Sequence, residues 1–332
     1  MLSGSSYSIV NEMLETPGIM RRFDGSRASG WAEAIDRKGG LFLTGEGASR
    51  IFPARNLMDL ALRRNISWRI YTQGARQAAE YDLKDFIVIG ASNSGRTREL
   101  ITLMEKLKRD GVTAYGITAA TGSKLTQTVD DVRLLTCGVE KATAATKSTV
   151  EQALVYQSLL RGDEWKNQAK AADSCEYVLT RAVAPEIIEH IKSASLIYFC
   201  GRNNGVAEEL TLLANEVVRK KSCYLEGTYV LHGVEEVMQR GETVVLIEPF
   251  KEEIDKYREV LKDRAGVTVI AISSFDTPFP TIKIPLLDGF NAYIQMMAGW
   301  NALIAAGLSL GINLDKTARA RKVGNEIQPD SV

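Results

Sequence analysis

The sequence predicts an α/β protein of two tandem domains, each a doubly wound, five-stranded parallel sheet between helices. Three observations predict this class. Short, nearly continuous apolar runs alternate with longer stretches of helical periodicity, the pattern of strands covered on both faces. The alternation restarts past the middle of the chain, where SLIYFCGRNNG (195–205) echoes GLFLTGEGASR (40–50), which indicates an internal duplication. The length of 332 residues suits two domains better than one core.

The first array begins with GLFLTG (40–45), a compact run ending in glycine. ISWRIYT (66–72) follows one helix length later, and DFIVIGAS (85–92) is the clearest strand. VTAYGIT (112–118) and DVRLLT (131–136) complete the five. Helical periodicity fills 50–64, 97–109 and 146–161. In the second array a helix over 177–194 leads to the strand inside 195–205, then to a helix over 206–220. CYLEG (223–227), ETVVLIEP (242–249), VTVIAIS (267–273) and TIKIPLL (281–287) read as strands, with a helix at 252–264. The apolar stretch 291–309 reads as a buried closing helix. The polar segment 162–176 is the expected joint, giving domains at 1–165 and 175–312 and a tail at 313–332.

Composition narrows the function. Hydrophobic residues make up 45% and charged residues 25%, ordinary usage for a soluble globular chain. Lys+Arg and Asp+Glu both number 41, so the basic excess of a nucleic-acid binder is absent and no nucleic-acid partner is expected. No uninterrupted apolar run approaches the roughly 18 residues that a membrane span needs, and the N-terminus lacks the basic-then-apolar pattern of a signal peptide. Cys137, Cys175, Cys200 and Cys223 show no CxxC spacing and read as reduced thiols of a cytoplasmic protein. His190 and His232 are the only imidazoles available.

The strongest chemical signal follows the strand DFIVIG. Ser92, Asn93, Ser94, Gly95, Arg96 and Thr97 lead straight into a helix. Unpaired N–H groups, a positive dipole end and short hydroxyl side chains make such a turn an anion site. Gly95 would let the backbone turn close to the ligand. The competing explanation is a helix cap, for which one hydroxyl suffices where three are present. Ser49, after Gly45-Glu46-Gly47, could face the same ligand or simply cap the next helix. In the second half, Glu209 and Glu216 are seven residues apart on one helix face. Glu216 sits in the apolar run LTLLANEVV, where a carboxylate is costly to bury unless used or paired. Such a group with a raised pKa can move a proton between adjacent sugar carbons. His232 is a candidate for ring opening or a structural histidine; Glu209 could be a solvated helix position. The basic tail around Lys316–Lys322 would by itself read as solvated.

These residues, taken in order, resemble the SIS (sugar isomerase) domain family. SNSGRT resembles its S-x-S-G-x-T phosphate loop, and GVEKATAATKS (138–148) its E-x-x-x-A-x-T-K segment. The second half, with Glu216 and His232 sixteen residues apart, is similar to the second SIS domain in the isomerase part of glucosamine-6-phosphate synthases, and GINLDKTARARKVGNE to their carboxyl tail. The resemblance implies that Ser49, Ser92, Asn93, Ser94 and Thr97 hold phosphate and that Ala144, Ala145 and Thr146 reach the ligand largely through the backbone. It implies that Glu216 moves the proton between C1 and C2, that Glu209 lines the site, and that His232 opens the ring, in this family sometimes from a neighbouring subunit. It implies that Lys322 can form a Schiff base with the open ketose, that no metal or organic cofactor takes part, and that the protein is a homodimer with shared active sites.

The departures bear on the substrate. Leu2 stands where the synthase has a cysteine nucleophile, which predicts no glutaminase activity. Tyr229, Val234, Thr317 and Ala318 also differ from the family pattern, and the phosphate end is untouched. The expectation is an enzyme of aminosugar metabolism, a deaminase or deglycase acting on an aminosugar or fructosamine 6-phosphate. A plain aldose–ketose isomerase and a non-enzymatic sugar-phosphate sensor are the alternatives; the absence of a helix-turn-helix domain and the retention of Glu216, His232 and Lys322 disfavour the sensor.

Overall fold

The computed structural model describes residues 5–319 and 326–327, with the side chains of Arg27 and Ser29 excepted. The chain divides into two compact units. One comprises residues 18–165 with 326–327, the other residues 5–17 with 166–319.

The first unit is built on β1 (Gly40–Gly45), β2 (Arg69–Gly74), β3 (Ile87–Ala91), β4 (Ala114–Thr118) and β5 (Asp131–Leu134). They form one parallel sheet in the order β2-β1-β3-β4-β5. β1 and β3 are buried at every position, which explains their unbroken apolar character. The helix Arg98–Arg109 returns from β3 across the sheet. It buries Leu100, Ile101, Leu103, Met104 and Leu107, an i, i+3, i+4, i+7 stripe, and carries Lys106, Lys108 and Arg109 at its negative dipole end. Gly90 lets this helix lie close: a Cβ there would stand 2.3 Å from the Met104 methyl and 2.7 Å from Leu100.

The second unit repeats the plan with β6 (Ile197–Gly201), β7 (Ser222–Glu226), β8 (Thr243–Ile247), β9 (Thr268–Ser273) and β10 (Thr281–Lys283). Its sheet order is β7-β6-β8-β9-β10, the same order as in the first, and again all parallel. The helix Asn291–Ser309 is buried along most of its length and packs on the helices Gln168–Thr180 and Pro185–Ser193, as expected of a closing helix. Among the described residues, no helix is long and apolar enough to cross a membrane.

The structure corrects several expectations. The single helix over 177–194 is two helices, Gln168–Thr180 and Pro185–Ser193. Pro185 takes the first position of the second helix, and Ala184 before it is extended (φ −58°, ψ 134°), as a residue preceding proline must be. The polar joint is therefore largely helical. β2 starts three residues later than read, and β10 stops at Lys283. The helix from Val206 is regular only to Leu213 and widens into a π turn over Ala214–Val218 that ends at Arg219 with φ 56°. The helix at 252–264 widens likewise over Arg258–Arg264.

Candidate functional site

In the first sheet the strand order reverses direction between β1 and β3, which opens a crevice at their carboxyl ends. Gly45 pairs with Ala91 across these strands, so the loops beginning at Glu46 and Ser92 leave the sheet side by side. The register thereby brings the loop of Ser49 beside SNSGRT. Ser49 ends a short 3-10 turn, Gly47–Ser49, and does not cap the helix that starts at Ile51; that helix has no side-chain cap.

The hydroxyls of SNSGRT are not spent on capping either. The helix begins at Arg98 with Thr97 at the N-cap position and no side-chain cap bond, so no side chain of the turn occupies its N-terminal N–H groups. The hydroxyls divide the work. Ser92 is buried; its Oγ lies 2.9 Å from Thr97 Oγ1 and accepts the Gly95 N–H at 3.1 Å. Ser94 Oγ makes one long contact inside the loop, accepting the Arg96 N–H at 3.4 Å. Gly95 has φ +62°, and a Cβ there would stand 2.2 Å from Ser123 Oγ and 2.9 Å from Thr118 Oγ1. The close approach that requires glycine is thus to the protein's own β4 loop.

Asn93 links this loop to the 138–148 segment. Its Oδ1 accepts the Glu140 N–H at 3.2 Å, its Nδ2 donates to Gly138 O at 3.4 Å, and its carbonyl accepts from Ala119 N–H and Thr118 Oγ1, each at 3.1 Å. Its amide therefore positions two loops. Glu140, the acid that opens the E-x-x-x-A-x-T-K match, was given no role of its own by the sequence. It is buried and accepts the Thr146 N–H at 2.7 Å, the Thr146 hydroxyl at 3.2 Å and the Ser148 hydroxyl, at the start of the helix Lys147–Ser158. A carboxylate there satisfies N-terminal donors and suits the dipole. Ala144 and Thr146 are buried and Ala145 partly so, all within the turn that Glu140 closes. An acid a few residues before the Thr-Lys-Ser that opens a helix was the available signal.

The corresponding loops of the second sheet are bridged by side chains. Glu248 follows β8 as Ser92 follows β3: Ser92 N–H donates to Ile117 O and Glu248 N–H to Ile272 O, the last paired residues of β4 and β9 respectively. Glu248 sits at φ 47°, and its carboxylate accepts the Ser274 N–H at 3.0 Å and the Ser274 hydroxyl at 2.5 Å. Arg202, from the loop after β6, donates to Glu248 O at 2.8 Å and Pro249 O at 3.2 Å and lies over the Phe250 ring. A built-in carboxylate there opposes a second phosphate.

Of the residues assigned to chemistry, Glu209 is buried near the start of the helix Val206–Leu213, so it is not a solvated position. Glu216 differs from expectation in the other sense. It lies in the π turn and is exposed, without a hydrogen-bond or ion-pair partner among the described residues. Protein around its carboxylate still displaces water and raises its pKa above 4.5. An open carboxylate with a raised pKa, on a π turn, is an arrangement found at functional sites. His232 is exposed at the end of the short turn Tyr229–Leu231 and is followed by Gly233 at φ +98°. Lys322 lies outside the described residues.

The first unit is a doubly wound α/β unit with a hydroxyl-rich, uncapped helix start at its switch point. Residues 72–161 match the model of the SIS domain family, and the chain carries a SIS domain over that segment. A glutamine–fructose-6-phosphate aminotransferase (isomerizing) of Aeropyrum pernix is 25% identical over 253 residues, 67% of this chain and 41% of the relative. The chain spans 30–41% of the length of the curated relatives it matches. Among solved structures, tagatose-6-phosphate ketose/aldose isomerase from Escherichia coli superposes with a TM-score of 0.79 at 17% identity, covering 94% of this chain and 96% of that one. Glucosamine-6-phosphate deaminase from Thermotoga maritima superposes with 0.72 at 18% identity, covering 95% and 97%. At these identities the likeness to the solved structures is one of fold.

Proposed function

We propose that this protein is a phosphosugar enzyme that deaminates or deglycates an aminosugar or fructosamine 6-phosphate through aldose–ketose proton transfer. The observation that carries the reading is the uncapped helix start at Arg98, with the Ser94 hydroxyl largely unspent beside it at the switch point. The names of the aminotransferase relative, the tagatose isomerase and the glucosamine deaminase share one chemical feature, a hexose bearing a 6-phosphate. The SNSGRT loop would hold that phosphate.

The chemistry follows from the substrate class. In an open-chain 2-amino aldose, a base removes the C2 proton and returns it at C1, which leaves an imine at C2. Water adds to the imine carbon and ammonia departs, giving the ketose phosphate. Glu216 is the proposed base, because its raised pKa brings it nearer the range in which a carboxylate both takes and returns a proton. His232 is proposed to open the ring, Glu209 to line the site and Lys322 to assist departure of the amine; these three roles rest on family resemblance. As a homodimer the protein would share its active sites between subunits.

The test is incubation with glucosamine 6-phosphate and with fructosamine 6-phosphate, reading released ammonia or amine. Turnover that Glu216→Gln abolishes is the expected result. Turnover of neither substrate above the Glu216→Gln background overturns the proposal. Isomerisation of an unaminated hexose 6-phosphate with no amine release, unaffected by loss of Lys322, would assign the plain isomerase instead.

A further inference from the structure

Glu326 and Ile327, close to the end of the chain, lie on the phosphate loop. Thr97 and Glu326 form an antiparallel bridge, and the Ile327 N–H donates to Arg96 O at 2.9 Å. The Glu326 carboxylate stands 3.0 Å from the Arg96 guanidinium, an ion pair whose angle falls short of a hydrogen bond. Ile327 packs against the core that includes Leu100, Ile101 and Met104, directly under the helix that follows the loop. The Glu326 side chain is 13% exposed and that of Arg96 39%.

Arg96 stands between Gly95 and Thr97 in a loop built for an anion, and a guanidinium there invites assignment as a phosphate ligand. Its observed partner is a carboxylate of its own chain. We propose that Arg96 is a positioning residue that serves the tail: the Arg96–Glu326 pair latches residues 326–327 onto the phosphate loop, and the latch and the bound phosphate stabilise each other. This inference rests on the phosphate assignment made above.

Two observations support it beyond the ion pair. Thr97 is held from both sides, its hydroxyl by Ser92 Oγ at 2.9 Å and its backbone by the bridge to Glu326. The backbone that presents the loop to an anion is therefore completed by a segment some 230 residues away in sequence, and the preorganised donors of a site bind better than donors that must be ordered on binding. Electrostatics gives the second. An unpaired carboxylate next to SNSGRT would repel a phosphate, whereas the Arg96–Glu326 pair is neutral and leaves recognition to N–H groups, hydroxyls and the helix dipole. Coupling is reciprocal: whatever docks the tail strengthens phosphate binding by the same factor by which phosphate strengthens docking.

The two roles for Arg96 predict opposite signs for one substitution. If Arg96 were a phosphate ligand, Glu326 would compete for it, and Glu326→Gln would tighten binding. As a latch, Glu326→Gln loosens it. The experiment uses the full chain and measures calorimetric affinity for glucosamine 6-phosphate and for inorganic phosphate in wild type, Glu326→Gln, Arg96→Gln, the double variant, Arg96→Lys and Ser94→Ala. Each of the two Gln variants is expected to weaken glucosamine 6-phosphate by roughly 5–10-fold, the low end of site-to-site coupling. The double variant should be no weaker than either single one, and Arg96→Lys should recover most of the affinity. Melting temperatures without ligand, taken over the same cycle, should show the same non-additivity. Tighter binding by Glu326→Gln, or a double variant equal to the product of the singles, overturns the latch. Loss of binding in Ser94→Ala with none in Glu326→Gln overturns the latch and leaves the phosphate assignment standing. A wild type that binds neither probe overturns the phosphate assignment and the coupling with it.

Discussion

The Ser92 and Thr97 hydroxyls meet at 2.9 Å across the turn that joins β3 to the helix Arg98–Arg109. This bond separates the loop's three hydroxyls into two that build the turn, Ser92 and Thr97, and one, Ser94, that is left to a ligand. Ser92 Oγ is buried and also accepts the Gly95 N–H at 3.1 Å, whereas Ser94 Oγ has only a 3.4 Å contact within the loop. Two serines two residues apart therefore have different jobs.

Substitution should separate them. Ser92→Ala removes the buried hydroxyl that meets Thr97 Oγ1 and is expected to cost about 0.5–1.5 kcal/mol of folding stability as well as ligand binding. Ser94→Ala should leave stability within about 0.5 kcal/mol and weaken a hexose 6-phosphate by roughly 10–100-fold, the worth of a hydrogen bond to a charged group. Denaturant melts with and without ligand read both effects. Equal behaviour of the two variants would refute the division.

Gly95→Ala tests the frame beneath the loop. Its φ is +62°, and the added Cβ would stand 2.6 Å from Ser123 Cβ and 2.2 Å from its Oγ. Left-handed strain and overpacking together predict a loss of about 2–4 kcal/mol. Equilibrium unfolding in urea measures it; a loss under 1 kcal/mol, on the order of a surface change, would mean that the β4 loop yields freely.

Stoichiometry follows from the side chains that bridge the corresponding loops of the second unit. Glu248 stands in the register position of Ser92, and its carboxylate already holds the Ser274 N–H and hydroxyl. Calorimetry should find one sugar phosphate per chain. Glu248→Ala is expected to lower stability by about 2–4 kcal/mol, since it removes two bonds to a charged acceptor. Two equivalents bound to the wild type would contradict the account.

The pH dependence of turnover carries the signature of Glu216. Displaced water raises its pKa above 4.5, so the basic form that takes a proton is lost at a higher pH than for a free carboxylate. The acidic limb of kcat/KM is expected to inflect above 4.5, with the rate falling as pH falls through it. Glu216→Gln should abolish turnover while sugar-phosphate binding, read by thermal shift, persists. Unchanged turnover in that variant would remove Glu216 from the chemistry.

Much of the architecture was legible because it is local. A strand buried on both faces must be continuously apolar, and β1, β3, β6, β8 and β9 all declared themselves in that way. The break at Pro185 was also written in the chain, since proline fixes its own φ and restricts the residue before it; the apolar periodicity running through it masked the signal. The π turn at Ala214–Val218 carries no such mark: no proline or glycine stands within it.

The candidate site divides on the same line. By itself, the sequence determined that a short-hydroxyl, glycine-containing turn follows β3 and opens a helix, because strand, turn and helix start are set by neighbours within a few residues. Only the tertiary structure decided what each group there does. Asn93 ties SNSGRT to Gly138 and Glu140, and Arg96 and Thr97 meet Glu326, across separations of 45 residues or more. Glu216 is open where its apolar neighbours in sequence had indicated burial, because the turn that carries it departs from the helical face those neighbours define. Hydrogen bonds act only at close range, and which donor comes within reach of which acceptor is settled by the packing of distant segments.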